Sequence, residues 1–109
     1  SLNYKKELVQ SVMIKRQNVI EKLLPTLAHS VNDGVIIDSL NETNWYQFTL
    51  TGRAVDQNSV DEFNRVLSIN LQPLNLYILN SPSRLDGQDS YNYSGVYIFE
   101  FTIQQRASL

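Results

Sequence analysis

The chain contains no cysteine, which excludes a disulfide framework and a thiolate metal site. Its single histidine, His29, stands beside Leu27 and Ala28 with no spaced partner, as a structural or solvent-facing histidine does. It has no basic excess. Nine Lys and Arg against eleven Asp and Glu leave a net charge of −2, whereas a nucleic-acid partner needs a basic face. No apolar run approaches the roughly 18 residues of a membrane span. With only four glycines, no glycine-rich phosphate cradle accompanies Arg53 and the asparagines around it. A small phosphatase therefore lacks its anion site, and Arg53 reads as a surface residue. No metal or cofactor is expected. Asp86 and Asp89 flank Gly87 and Gln88 in a loosely calcium-like loop, but the alternating acids and terminal glutamate of an EF-hand are missing.

What remains is enough for one domain: 109 residues, 42% of them hydrophobic, suit a single two-layer core. The chain is organised around Tyr46 to Leu71. Tyr46, Phe48, Leu50, Gly52 and Ala54 alternate with Gln47, Thr49, Thr51 and Arg53, the period of a strand with one buried face. Gly52 on the apolar face predicts a close approach of helix backbone, or a bulge. Ser59 followed three residues later by Glu62 has the form of a capping box. Asp61 and Glu62 then fall in a first turn, where the helix dipole favours acids. Val60, Phe63, Val66, Leu67 and Leu71 recur at helical spacing as one apolar stripe.

Upstream, Leu2 to Leu24 reads as a long amphipathic helix with Leu8, Val12, Val19, Ile20, Leu23 and Leu24 on its apolar side. At 1.5 Å per residue it would run roughly 30 Å, longer than a typical strand of ~17–20 Å. It should overhang the sheet as a stalk or as a contact with another chain. The opening SLNYKKELVQ falls inside this pattern, as in a fragment of a longer protein. Residues 1–24 are thus expected to form the stalk end and residues 25–109 the head. Pro25 either kinks the helix or starts a second piece that carries Leu27 inward. Gly34, after Asn32 and Asp33, suits a left-handed helix stop.

Val35 to Leu40 is β-rich, and Asn41–Asn44 reads as a hairpin turn. Beyond Pro73, Leu74 to Leu79 forms another strand, with Leu74, Leu76 and Ile78 on one face and Tyr77 and Leu79 on the other. Ser81 to Ser94 reads as a long polar loop. Val96 to Gln104 is the last strand, with Tyr97, Phe99, Phe101 and Ile103 against Val96, Ile98, Glu100 and Thr102. The order αββαββ predicts an α+β two-layer sandwich: a four-stranded antiparallel sheet with both helices on one face, ferredoxin-like but cyclically shifted.

That arrangement leaves the opposite face of the sheet uncovered. Tyr77, Leu79, Val96 and Ile98 would lie on it as a continuous apolar patch, with Trp45 at its margin. Such a patch on a soluble domain marks a partner site. Together with Leu8 and Val12 of the overhanging helix, these are the candidate interface residues, and no catalytic residue is expected.

Asp33–Val35 (DGV), the hairpin, Leu50–Ala54 (LTGRA) and Val60–Leu67 (VDEFNRVL) resemble the periplasmic domain of PilN-type fimbrial assembly proteins. That family pairs a strand ending L-x-G-x-A with a helix carrying V-x-x-F/L-x-x-x-L. Arg16, Val19, Leu23 and Leu27 are similar to its upstream helix, while the polar loop between the last two strands is longer than the family's. Related GspL and PilO-type proteins share the architecture. The resemblance implies a non-enzymatic component of a type IV pilus or type II secretion platform in the bacterial inner membrane. Its periplasmic head would dimerise with itself or with a PilO-type partner. A segment upstream of Ser1 would reach an actin-like cytoplasmic partner, and the membrane span would also lie upstream. A different reading is an ACT-like regulatory domain, which needs a glycine-bearing strand–helix junction that seats a small molecule.

Overall fold

The structure is a computed structural model that describes residues 19–44, 47–86 and 95–106. It opens in helix α1 over residues 19–30, followed by strands β1 (Val35–Asn44) and β2 (Gln47–Ala54) and helix α2 (Gln57–Leu71). A 3-10 turn, Gln72–Leu74, leads into β3 (Leu76–Asn80), β4 (Ser83–Leu85) and β5 (Tyr97–Gln105). The class is α+β with an antiparallel sheet in the order β1-β2-β5-β3, and β4 also pairs with β5.

The alternation of β2 is realised. Phe48, Leu50, Gly52 and Ala54 are buried, and the residues between them are not. Their partners on β5 are Ile103, Phe101, Phe99 and Tyr97, so the inward residues of both central strands share one face. Leu23 and Leu27 from α1 and Val60, Phe63, Leu67 and Leu71 from α2 bury against that same cluster. Both helices therefore cover one side of the sheet. Three rings fill the centre: Phe63 lies 5.6 Å from Phe99 and 5.5 Å from Phe101, centroid to centroid. Burial of this size, at ~25 cal/mol per Å² of apolar surface, is the main force holding the layers together.

Several expectations are corrected. Helix α2 starts three residues earlier than the capping-box reading placed it. Asp56 is its N-cap, accepting from the Ser59 amide at 2.7 Å, and hydrogen bonds from the Ser59 hydroxyl and amide hold its carboxyl below the usual range. Ser59 is therefore inside the helix, and no acid occupies the first turn. Glu62 turns outward to Arg65 instead of back to the cap. Gly34 has no left-handed backbone; it is small because Ser59 lies against it, where an added Cβ would meet Ser59 Oγ at 2.3 Å. Left-handed backbone falls instead at Gly95, φ 71°, and at Asn75, φ 61°, the latter at the step from the 3-10 turn into β3, where asparagine is tolerated.

Gly52 is approached by a side chain and a neighbouring strand, not by helix backbone. A Cβ there would stand 2.3 Å from the Phe99 ring and 2.4 Å from the Ile36 carbonyl oxygen. Beside it the register of β1 shifts between Ile37 and Ser39, which makes Asp38 an extra residue in the edge strand. Asn41–Asn44 is strand rather than turn, since Asn44 still pairs with Gln47. Residues 45 and 46, including Trp45, lie outside the described residues.

The sheet has five strands, not four. The fifth, β4, comes from the segment expected to be loop. It follows β3 in the same register: Asn80 pairs with Thr102 and Ser83 with Phe99. Between them the Glu100 amide donates to the Pro82 carbonyl at 3.0 Å. Pro82 has no amide to contribute, so the edge is interrupted there and resumes as β4.

Helix α1 runs through Pro25 without interruption. The amide missing at Pro25 is accompanied by two side-chain bonds: Thr26 Oγ1 donates to the Lys22 carbonyl and Ser30 Oγ to that of Thr26. Leu23, on the stalk side of the expected boundary, is fully buried in the same core as Leu27. Leu24, expected on the apolar stripe, is 55% exposed.

Candidate interaction surface

The side of the sheet away from the helices is built from the alternate residues of each strand, and the registers place them in cross-strand rows. One row runs Ile36, Arg53, Ile98, Arg84. The next contains Ser39, Thr51 and Glu100, and the next Asn41, Thr49, Thr102 and Asn80. The last runs Asn44, Gln47, Gln104, Tyr77. The face is graded: aliphatic and arginine side chains at one end, hydroxyls in the middle, amides and a tyrosine at the other end.

Each region is held in place locally. Arg53 donates through Nε and Nη2 to both carboxylate oxygens of Asp38 at 3.0–3.2 Å. The Asp38 carboxylate in turn raises the pKa of the Arg53 guanidinium, by hydrogen bond and charge. The bulge is what brings Asp38 within reach. In the middle, the Ser39 and Thr51 hydroxyls are hydrogen-bonded. At the far end Gln47 Nε2 donates to Gln104 Oε1 at 3.1 Å, and the Arg106 guanidinium lies 5.0 Å above the Tyr77 ring.

Of the expected interface residues, Leu8, Val12 and Trp45 lie outside the described residues. The other four do not form one patch. Tyr77 is opposite Gln104, while Ile98 lies six residues back along β5, about 20 Å away, with Glu100 and Thr102 between. Leu79, 49% exposed, is at the register shift of β3. Val96 and Ile98 sit at the opposite end, where they meet two aliphatic residues that sequence reasoning missed. Ile36 is 58% and Val55 63% exposed, and Ile36, Val55 and Val96 line a hollow of 110 Å³ with Asp33, Gly34, Arg53 and Ala54. Ile36 was hidden in the unbroken apolar run Val35–Ile37, which shows no alternation to assign a face. A second hollow, 180 Å³, lies beside Ile98 over Pro82, Ser83, Arg84, Phe99 and Glu100.

Neither hollow is of ligand-site size, since small-molecule pockets hold ~300–1,000 Å³. Next to the first, Ser59 already occupies the space beside Gly34, which weighs against a small-molecule seat at that junction. Among the described residues no three His, Asp or Glu side chains come together. His29 is exposed near the end of α1.

The strand edges offer less. β1 carries register shifts at Asp38 and again between Glu42 and Asn44, and the β3–β4 edge is interrupted at Pro82. Bulges, edge charges and proline are the devices that discourage strand addition. No protein-family model, curated protein or solved structure matches the chain.

Proposed function

We propose that the domain is a non-enzymatic assembly module that joins protein chains through the open face of its sheet. In this reading it is the periplasmic head of an inner-membrane platform protein of a type IV pilus or type II secretion system. The observation that carries the first part is the aliphatic end, where Ile36 and Val55 are each more than half exposed and line one hollow with Val96, and where Ile98 shares a cross-strand row with Ile36. Exposed aliphatic side chains gathered at one place on a domain are a recurring mark of a protein-binding surface. Arg53 is already neutralised by Asp38, so a partner can cover it without supplying a counterion.

The second part rests on the PilN-like residues of the β2–α2 unit and on the topology. The order β1-β2-β5-β3 is the one a ferredoxin-like sandwich takes when its first strand is moved to the C-terminal end, with β4 prolonging β3. This supports the shifted αββαββ reading. The partner is then a second copy or a PilO-type head, and the connection to an actin-like cytoplasmic protein lies in a segment upstream of Ser1. A pairwise interaction assay between this domain, itself and a PilO-type head from the same genome tests the proposal. Association that Ile98→Glu weakens is expected. Absence of association in every pairing would remove it.

A further inference from the structure

On the reading of the open face as an interface, the geometry points to a second copy of this chain as the partner, docked about a two-fold axis that pairs Arg84 of each copy with Glu100 of the other. Arg84 faces Ile98 across the β4–β5 ladder, and Glu100 is the next residue along β5 on that face. The two are diagonal neighbours of opposite charge, both exposed. Both line the 180 Å³ hollow beside Ile98. Among the described residues Arg53 spends its charge on Asp38 and Arg65 on Glu62, whereas neither Arg84 nor Glu100 has an ion-pair partner. A patch that carries one unpaired charge of each sign is complementary to itself. An isologous interface requires that property, because each residue must meet the image of its counterpart.

The placement fits the rest of the face. A two-fold axis lying in the interface and crossing the strands near the Arg84 and Glu100 levels sets Arg84 over the partner's acid. It also lays Ile98 close to its own copy. The row of amides and Tyr77 at the far end of the face stays in water, which suits its polarity. At ~4.8 Å between strands and ~3.3 Å per residue, the whole four-strand width of the face measures roughly 20 Å by 30 Å. The aliphatic end is about half of that, below the ~800 Å² per partner of a standard interface. The dimer is therefore weak and concentration-dependent, and two charge pairs are a substantial part of its specificity.

Charge reversal tests the axis. Arg84→Glu and Glu100→Arg are made separately, their folding is checked by melting, and sedimentation is measured for the parent, each variant and an equimolar mixture. The parent is expected to dimerise, and each variant alone to self-associate roughly tenfold more weakly, because its pairs become repulsive. The mixture is expected to recover a one-to-one heterodimer, since Arg84 then meets Glu100 and the reversed residues meet each other. A dimerising parent with unaffected variants, or a mixture that does not recover, overturns the axis while leaving the open face as the interface. A parent that stays monomeric overturns the interface itself. Should either reversal unfold the domain, Arg84→Gln and Glu100→Gln replace it, and association unchanged in both overturns the pairing.

Discussion

The ring of Phe99 occupies the space that a side chain at Gly52 would fill. The two residues pair directly between β2 and β5, and an added Cβ would lie 2.3 Å from Phe99 Cζ. The Ile36 carbonyl oxygen, 2.4 Å away on the other side, is backbone and cannot move aside cheaply. Gly52→Ala should therefore destabilise the domain by about 1–3 kcal/mol or more through overpacking. Trimming the ring in Gly52→Ala/Phe99→Leu should recover only part of the loss, because the carbonyl clash remains. Urea unfolding checks both. Full recovery would mean that the ring alone dictates glycine there.

Truncating the central ring should cost more than removing the helix cap. Phe63 is fully buried between Phe99 and Phe101, and Phe63→Ala should cost ~3–5 kcal/mol by leaving a cavity. Asp56→Ala should lower the urea midpoint by less. Ser59→Ala should disturb the cap less than Asp56→Ala, since it removes the hydroxyl bond but keeps the amide that donates to Asp56. A ranking with Ser59→Ala above Asp56→Ala would return the cap to Ser59.

Acid should expose the cap as well. Hydrogen bonds from Ser59 lower the Asp56 pKa below its ordinary 3.8. A carboxylate whose folded-state pKa is depressed stabilises the fold fully above the unfolded value, and the contribution is lost as pH falls through the folded value. Glu62, held down by its hydrogen bond from Arg65, acts in the same direction below about 4.5. Asp56→Asn should flatten the decline in stability below pH ~4. An unchanged slope would show that other carboxylates account for it.

Ser30 couples the two helices. It is 3% exposed, donates to the Thr26 carbonyl and accepts from Asn70 Nδ2 at 3.0 Å. Ser30→Ala leaves the Asn70 amide without that acceptor and should cost about 1–3 kcal/mol. The double variant Ser30→Ala/Asn70→Leu should lose less than Ser30→Ala alone, measurable by thermal melting. Equal losses would show that the bond between the helices adds nothing.

These residues also show what the sequence could reveal. The inward faces of β2 and β5 and the stripe of α2 were legible because each alternates or repeats over eight residues or more, so pattern and packing agree. The cap was misread because Asp56 and Ser59 both suit an N-cap, and Ser59 has Glu62 at capping-box distance by coincidence. Asn41–Asn44 looked like a turn because an edge strand with little to bury carries turn-like residues. β4 was invisible for a related reason: Ser83–Leu85 forms a strand through its ladder to β5, not through its own propensity. For the exposed set on the sheet, alternation assigns a face and not a position along it. Alternation tells which face Tyr77 and Ile98 occupy; only the long-range registers Tyr77–Gln104 and Arg84–Ile98 reveal that they stand at opposite ends.

The central claim is that the aliphatic end of the open face is where chains meet. The most direct measurement is sedimentation of the parent domain, Ile98→Glu and Leu79→Glu over a wide concentration range, with melting temperatures recorded for each. The account predicts that the parent self-associates and that Ile98→Glu shifts it to monomer at an unchanged melting temperature. Leu79→Glu, near the other end of β5, should have a smaller effect. A parent that remains monomeric at every concentration, or an Ile98→Glu variant that associates as the parent does, would contradict it.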